Sequence, residues 1–203
     1  MRQLAAIVFA DMVGYTALMQ VNETAARQKR VRFKEVLDAS VAEHHGKIVQ
    51  HYGDGCLFIF NSALDAAYCA VDMQRDLQQQ PNVELRIGIH SGDITIDEGV
   101  IYGDGVNLAS RIESLAVSGS VLISERVQDD IKNHDTFTTK ELGHFEFKNV
   151  NAPMRVFAIA NSGIVVPSRA SLHGKLQRPN NRLAVLPFVD MSADPENEFF
   201  SDG

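Results

Sequence analysis

Leu4 to Ala10 form an unbroken apolar run that ends abruptly at Asp11. A continuous stretch of that length reads as a buried strand, and the Met12-Val13-Gly14-Tyr15-Thr16 that follows reads as a glycine-containing turn into a helix. A helical segment is expected over Thr24–His45, with Val31, Phe33, Val36, Leu37 and Val41 near one face. Ile48–Tyr52 and Cys56–Phe60 read as two strands joined by Gly53-Asp54-Gly55, a good hairpin turn. Ser62 and Asp65 then make an S-x-x-D helix start, with Ala63, Ala66, Ala67, Ala70, Val71 and Leu77 as the buried stripe. Further on, strands are expected over Glu84–His90, Ile94–Ile96, Val121–Ile123, Phe137–Lys148 and Arg155–Ala160, and helices over Asp104–Ala116 and Glu125–Ile131. The elements alternate without the regular spacing of a doubly wound sheet. The expected fold class is therefore α/β (α+β), a ferredoxin-like split βαβ sandwich.

Composition narrows the function classes. Acidic residues outnumber basic ones by 26 to 19, and the net charge of −7 argues against non-specific binding to nucleic acid or to an anionic membrane. No apolar run approaches the roughly 18 residues of a membrane helix, and the N-terminus lacks a signal-peptide layout. Two cysteines, Cys56 and Cys69, are too few for a disulfide framework or a CxxC metal site. The expectation is a soluble, reduced, cytoplasmic protein. Residues 1–161 read as one domain and 162–181, with Pro167, Pro179 and several serines, as a linker. In 182–203 a strand pattern returns at Arg182–Phe188, as if a second domain begins there.

Three stretches carry chemistry. Asp11, at the end of a buried strand, is placed to ligate a hard cation, while the backbone N–H groups of Val13 to Thr16 point toward an incoming phosphate. Asp54 lies in the hairpin turn, and if the first strand lies beside that hairpin, the two carboxylates can share divalent ions at one sheet end. In Tyr102-Gly103-Asp104-Gly105-Val106-Asn107-Leu108-Ala109-Ser110-Arg111, Asn107 and Arg111 fall four apart on one helix face. An amide and a guanidinium so placed suit a sugar and a developing phosphoryl charge. Each feature also has a purely structural reading: Asp11 as a helix cap, Asp54 as an ordinary Asp-Gly turn, Asn107 and Arg111 as a solvated face. Arg86 and Lys148 then read as surface charges.

Taken together, FADMVGYT, the YGDG hairpin, LRIGIHSGD, IYGDGVNLASRIE and LGHFEFKNVNAPMRVF resemble the class III nucleotidyl cyclase catalytic domain, in family order over about residues 3 to 160. The terminal RLAVLPFVDMSADPENEFFSDG resembles the opening of the TolB-like domain found in some bacterial cyclases. The resemblance implies closure of ATP, or alternatively GTP, into a 3′,5′-cyclic nucleotide with release of pyrophosphate, using two Mg²⁺ or Mn²⁺ ions. It makes Asp11, Asp54 and the Met12 carbonyl the metal ligands. Asn107 would orient the ribose, Arg111 would stabilise the transition state, and Arg86 and Lys148 would hold the triphosphate. It also implies a homodimer, with metal carboxylates from one chain and Asn107, Arg111 and base-reading residues from the other.

Two positions depart from the family pattern. The base-reading places hold Gln50 and Val100, which match neither the Lys with Asp or Thr usual for adenine nor the Glu with Cys usual for guanine. Gln50 can pair with an edge of either purine and Val100 with none, so weak base selectivity and low activity are expected. The alternative is a cyclase-like dimerisation or nucleotide-binding module that regulates rather than catalyses.

Overall fold

The computed structural model describes residues 2–97, 100–147, 150 and 152–172. In chain order the elements are β1 (Arg2–Met12), α1 (Tyr15–Val21), α2 (Glu23–Glu43), β2 (Lys47–Tyr52), β3 (Gly55–Phe60) and α3 (Ala63–Leu77). There follow β4 (Leu85–Asp97), β5 (Val100–Tyr102), α4 (Asp104–Leu115), β6 (Val121–Ser124), α5 (Glu125–Ile131), β7 (Thr139–Phe145) and β8 (Met154–Ile159). The strands make one sheet in the order β2-β3-β1-β4-β6-β8-β7, with β5 paired to β4. Among the described residues only β4 and β6 run parallel; the other pairs are antiparallel. β3 inserts between β1 and β2, and β1 between β3 and β4, which is the interleaved split βαβ arrangement expected from the sequence.

Local chemistry sets the helix boundaries. The Asn22 side chain accepts from Ala25 N at the start of α2, Ser62 from Asp65 N at the start of α3, and Ser124 from Val127 N at the start of α5. Each satisfies one of the amides that a helix N-terminus leaves orphaned. α1 begins instead at Gly14, whose φ of 74° is a left-handed backbone that glycine adopts without steric cost.

Strand alternation divides the core in two. Ala6, Val8, Ala10 and Met12 of β1, Cys56, Phe58 and Phe60 of β3, and Leu85, Ile87 and Ile89 of β4 turn to one face. There they pack against Phe33, Val36, Leu37 and Val41 of α2 and Ala66, Ala70, Val71, Met73 and Leu77 of α3. Ala5, Ile7, Leu57, Ile59 and Ile94 turn to the opposite face, under Ala109 of α4. Leu108, Ile112 and Leu115 of α4 continue that layer against Leu122, Phe145 and Val156.

Three sequence expectations change. Glu84–His90 and Ile94–Ile96 belong to one continuous strand, because β1 pairs along its whole length, from Met12↔Leu85 to Arg2↔Thr95, and carries Ser91-Gly92-Asp93 with it. Val31 is 58% exposed. At 3.6 residues per turn it falls on the side of α2 opposite Phe33, Leu37 and Ser40. Residues 162–172, the first part of the expected linker, lie against the domain. Ile164 and Leu172 are buried, Val165 N donates to Gly119 O at 3.0 Å, and Gln78 Nε2 donates to Gly163 O at 2.5 Å. The rest of that linker and the expected Arg182–Phe188 strand lie outside the described residues.

Candidate functional site

Register brings the first two carboxylates together. Asp11 stands opposite Gly55 across β1 and β3, and the preceding residue, Asp54, occupies the β2–β3 turn. Met12 N donates to Asp54 O at 3.1 Å, which fastens the turn to the end of β1. A Cβ at position 55 would sit 2.9 Å from Asp11 Oδ1, so the glycine leaves the carboxylate its space. The Asp11 carboxyl titrates above its ordinary range, first because it is half-buried and second because Asp54 is a like charge nearby, against the opposing pull of Arg86.

Arg86 lies directly across β1 and β4 from Asp11. Its Nη2 donates to Asp11 Oδ2 at 2.7 Å, and its Nε lies 2.5 Å from Oε1 of Glu113 on α4. The second contact is an ion pair by distance only, since neither atom makes a hydrogen bond there. Burial therefore outweighs the guanidinium and pushes the Glu113 carboxyl up to about 7, with Asp11 adding to the rise. Phe9, Asp11, Tyr52, Arg86, Ser110 and Glu113 line a cavity of about 230 Å³ at this end of the sheet. Sequence reasoning passed over Glu113. Its signal was an acid on the apolar stripe of α4, one helical turn beyond Ala109.

The other expected residues do not join this cavity within one chain. Asn107 is exposed, and Arg111 is half-buried and projects from another side of α4 than Glu113. Gly105 at the start of α4 lies against Gly92, whereas Glu113 lies against Gly88. Asn107 is thus about 9 Å along the helix from Glu113, toward the far end of the sheet. Val100, 51% exposed, sits on β5 beyond that far end. Gln50 is exposed on β2 opposite Leu57 and accepts a hydrogen bond from the Tyr52 hydroxyl at 3.0 Å. Among the turn amides, Val13 N already donates to Glu84 O at 2.8 Å, so the expected phosphate cradle reduces to Gly14, Tyr15 and Thr16. Lys148 lies outside the described residues.

A second cavity, of about 470 Å³, opens beside the start of α4 and is lined by His90, Asp93, Asp104 and Arg126 among others. His90 is 4% exposed and its Nδ1 has no partner among the described residues. Burial, with Arg126 adding to it, lowers its pKa to about 4, so the ring is neutral at physiological pH.

Residues 2–161 match the family model described as the adenylate and guanylate cyclase catalytic domain. A putative adenylate cyclase of Rhizobium meliloti is 36% identical over 100% of this chain and 36% of its own length. An adenylate cyclase of Streptomyces coelicolor is 33% identical over 62% of this chain and 34% of its own. The chain thus spans about a third of the length of these two curated relatives. Among solved structures, an adenylate/guanylate cyclase/hydrolase from Silicibacter pomeroyi superposes with a TM-score of 0.71 at 34% identity, covering 80% of this chain and 99% of that one.

Proposed function

Because the chain belongs to the adenylate and guanylate cyclase catalytic-domain family, we propose that it converts ATP to 3′,5′-cyclic AMP and pyrophosphate as a homodimer. The observation that carries this reading is the convergence of Asp11 and Asp54, two like charges held together at a sheet end beside an open cavity. Arg86 offsets only part of that charge, and the hard oxygens of the pair, with the Met12 carbonyl, suit Mg²⁺ or Mn²⁺. Among the described residues no group of three or more His, Cys, Asp or Glu side chains could hold an ion, so the set proposed is two carboxylates and a carbonyl. Two bound ions would lower the pKa of the ribose 3′-hydroxyl and neutralise charge on the triphosphate.

In this reading the 3′-oxygen bonds to the α-phosphorus, the bond to the pyrophosphate oxygen breaks, and the hydroxyl proton leaves to solvent. Arg86 and the amides of Gly14, Tyr15 and Thr16 hold the phosphates, with Lys148 as a further cation from the sequence. The partner subunit's Asn107 orients the ribose, and the partner subunit's Arg111 takes the charge that develops on the transferring group. One chain leaves its own Asn107 and Arg111 facing away from its own carboxylates, which supports a site shared between two chains. Gln50 and Val100 are the base-reading positions. Val100 offers no hydrogen bond, so discrimination between ATP and GTP is weak.

Mixed dimers test the whole assignment. Asp11→Ala and Arg111→Ala chains are each inactive alone. Mixed in equal amounts, half of the dimers carry one intact site, and about a quarter of wild-type cyclic nucleotide production returns. Purified wild-type protein that forms no cyclic product from ATP or GTP with Mn²⁺ would overturn the enzyme reading. Nucleotide binding without turnover would then favour the regulatory-module alternative, which rests on the departure of both base-reading positions, Gln50 and Val100, from the family pattern.

A further inference from the structure

Arg86 sits at a fork between two acids that come from different layers of the molecule. Asp11 reaches it across the sheet at 2.7 Å, and Glu113 reaches it from α4 at 2.5 Å. The two contacts differ in permanence. The Asp11 carboxylate is the one that a cation would claim, and a cation there competes with Arg86 Nη2 for the same oxygen. Among the described residues no second cation competes for the Glu113 carboxylate, which is charged above about pH 7. Its side chain is only 10% exposed and lies between Ile112 and Leu115 on the buried side of α4.

The backbone fixes Glu113 in place. A Cβ at position 88 would lie 2.6 Å from Glu113 Cα, so α4 rests directly on β4 at this point. Residues 86 and 88 share one face of β4, and the helix therefore delivers the acid beside the guanidinium. A buried acid with no cation nearby is costly, and Arg86 is the cation this one faces.

We propose that Glu113 is a positioning residue for Arg86: it retains the guanidinium at the site when cations occupy Asp11, leaving the Nη groups free for the triphosphate. This rests on the cyclase reading and adds a residue to it. Without Glu113, Arg86 has Asp11 as its anchor and competes with the ions for that carboxylate. Glu113 thus makes ion and triphosphate binding compatible within one small cavity.

Two titrations of the purified dimer test this without turnover. With Mn²⁺ alone, Glu113→Gln should weaken ion binding several-fold, because Arg86 then pairs more fully with Asp11. With Mn²⁺ and 3′-deoxy-ATP, which lacks the attacking hydroxyl, Glu113→Gln and Arg86→Ala should each weaken calorimetric affinity about tenfold. The double variant should be no weaker than the weaker single one, because both act through one guanidinium. Additive losses, or unchanged affinity in Glu113→Gln, would overturn the proposal. So would a lowered melting midpoint with unchanged binding. Should Glu113→Gln fail to fold, Arg86→Lys decides. It keeps the charge but not the fork, and wild-type affinity in that variant rejects the idea. Lack of cyclic product alone would bear on the enzyme reading and leave the ion titration to judge Glu113.

Discussion

The two faces of the central sheet are built on opposite terms. The face under α2 and α3 is closed and mainly apolar, with buried Gln74 donating to the Leu85 and Ser120 carbonyls. Phe58, Leu37, Met73, Leu77, Leu85 and Ile87 are all fully buried there. The face under α4 has, among the described residues, one helix to cover it and holds ionisable groups in its interior: Arg86 and Glu113 at one end and His90 at the other. Along β4, positions 86, 88, 90 and 92 read Arg, Gly, His, Gly toward α4, while 85, 87 and 89 read Leu, Ile, Ile toward α3. Over residues 85–90 this strand thus supplies stability from its odd residues and chemistry from Arg86 and His90. The separation lets the charged groups remain near open cavities without weakening the main core.

Substitutions on the two faces should therefore fail in different ways. Asp11→Asn keeps the side-chain volume and removes the charge. Turnover should fall by about 10³-fold or more, with melting close to wild type, measured by product formation alongside calorimetry. A large loss of stability in that variant would merge the two faces and break the contrast. Phe58→Ala should lose about 3–5 kcal/mol of stability in denaturant titration, with specific activity per folded molecule retained at low temperature.

Acid–base behaviour sharpens the contrast further. Glu113, raised to about 7, binds its proton more tightly folded than unfolded, so its contribution falls as pH rises from about 4.5 through 7. His90, lowered to about 4, does the reverse, and stability is lost as pH falls from about 6.5 toward 4. The two slopes oppose each other over the shared range. Glu113→Gln should unmask a rise in stability from about pH 4 to 6.5, and His90→Gln should unmask the fall toward pH 7, both read from denaturant titrations across pH. At the bottom of the scale, Lys34→Ala removes the exposed Lys34–Asp38 pair on α2, at 2.6 Å, and should cost less than about 0.5 kcal/mol. An effect as large as that of Phe58→Ala would mean the solvent side of α2 is not the passive surface it looks.

Residues 162–172 show where composition misleads. Pro167 and the serines marked them as linker, and Ile164 and Leu172 nevertheless complete two separate core clusters. Two apolar residues spaced along an irregular chain have no periodicity to announce burial. Only the waiting hydrophobic surface makes them part of the domain.

By itself the sequence determined what local physics controls. Apolar runs placed the strands, the Ser62 cap placed a helix start, the Gly-Asp turn made the hairpin, and strand-end chemistry singled out Asp11 and Asp54. The tertiary structure decided what depends on distant residues meeting. It used the Val13 amide in a bond to Glu84, fused two expected strands along β1, laid the Glu113 side of α4 onto Gly88, and set Arg86 between Asp11 and Glu113. Helix and strand periods are short-range and leave their mark on a few consecutive residues. An ion pair across the sheet and its covering helix depends on register and packing, which no single stretch of sequence contains.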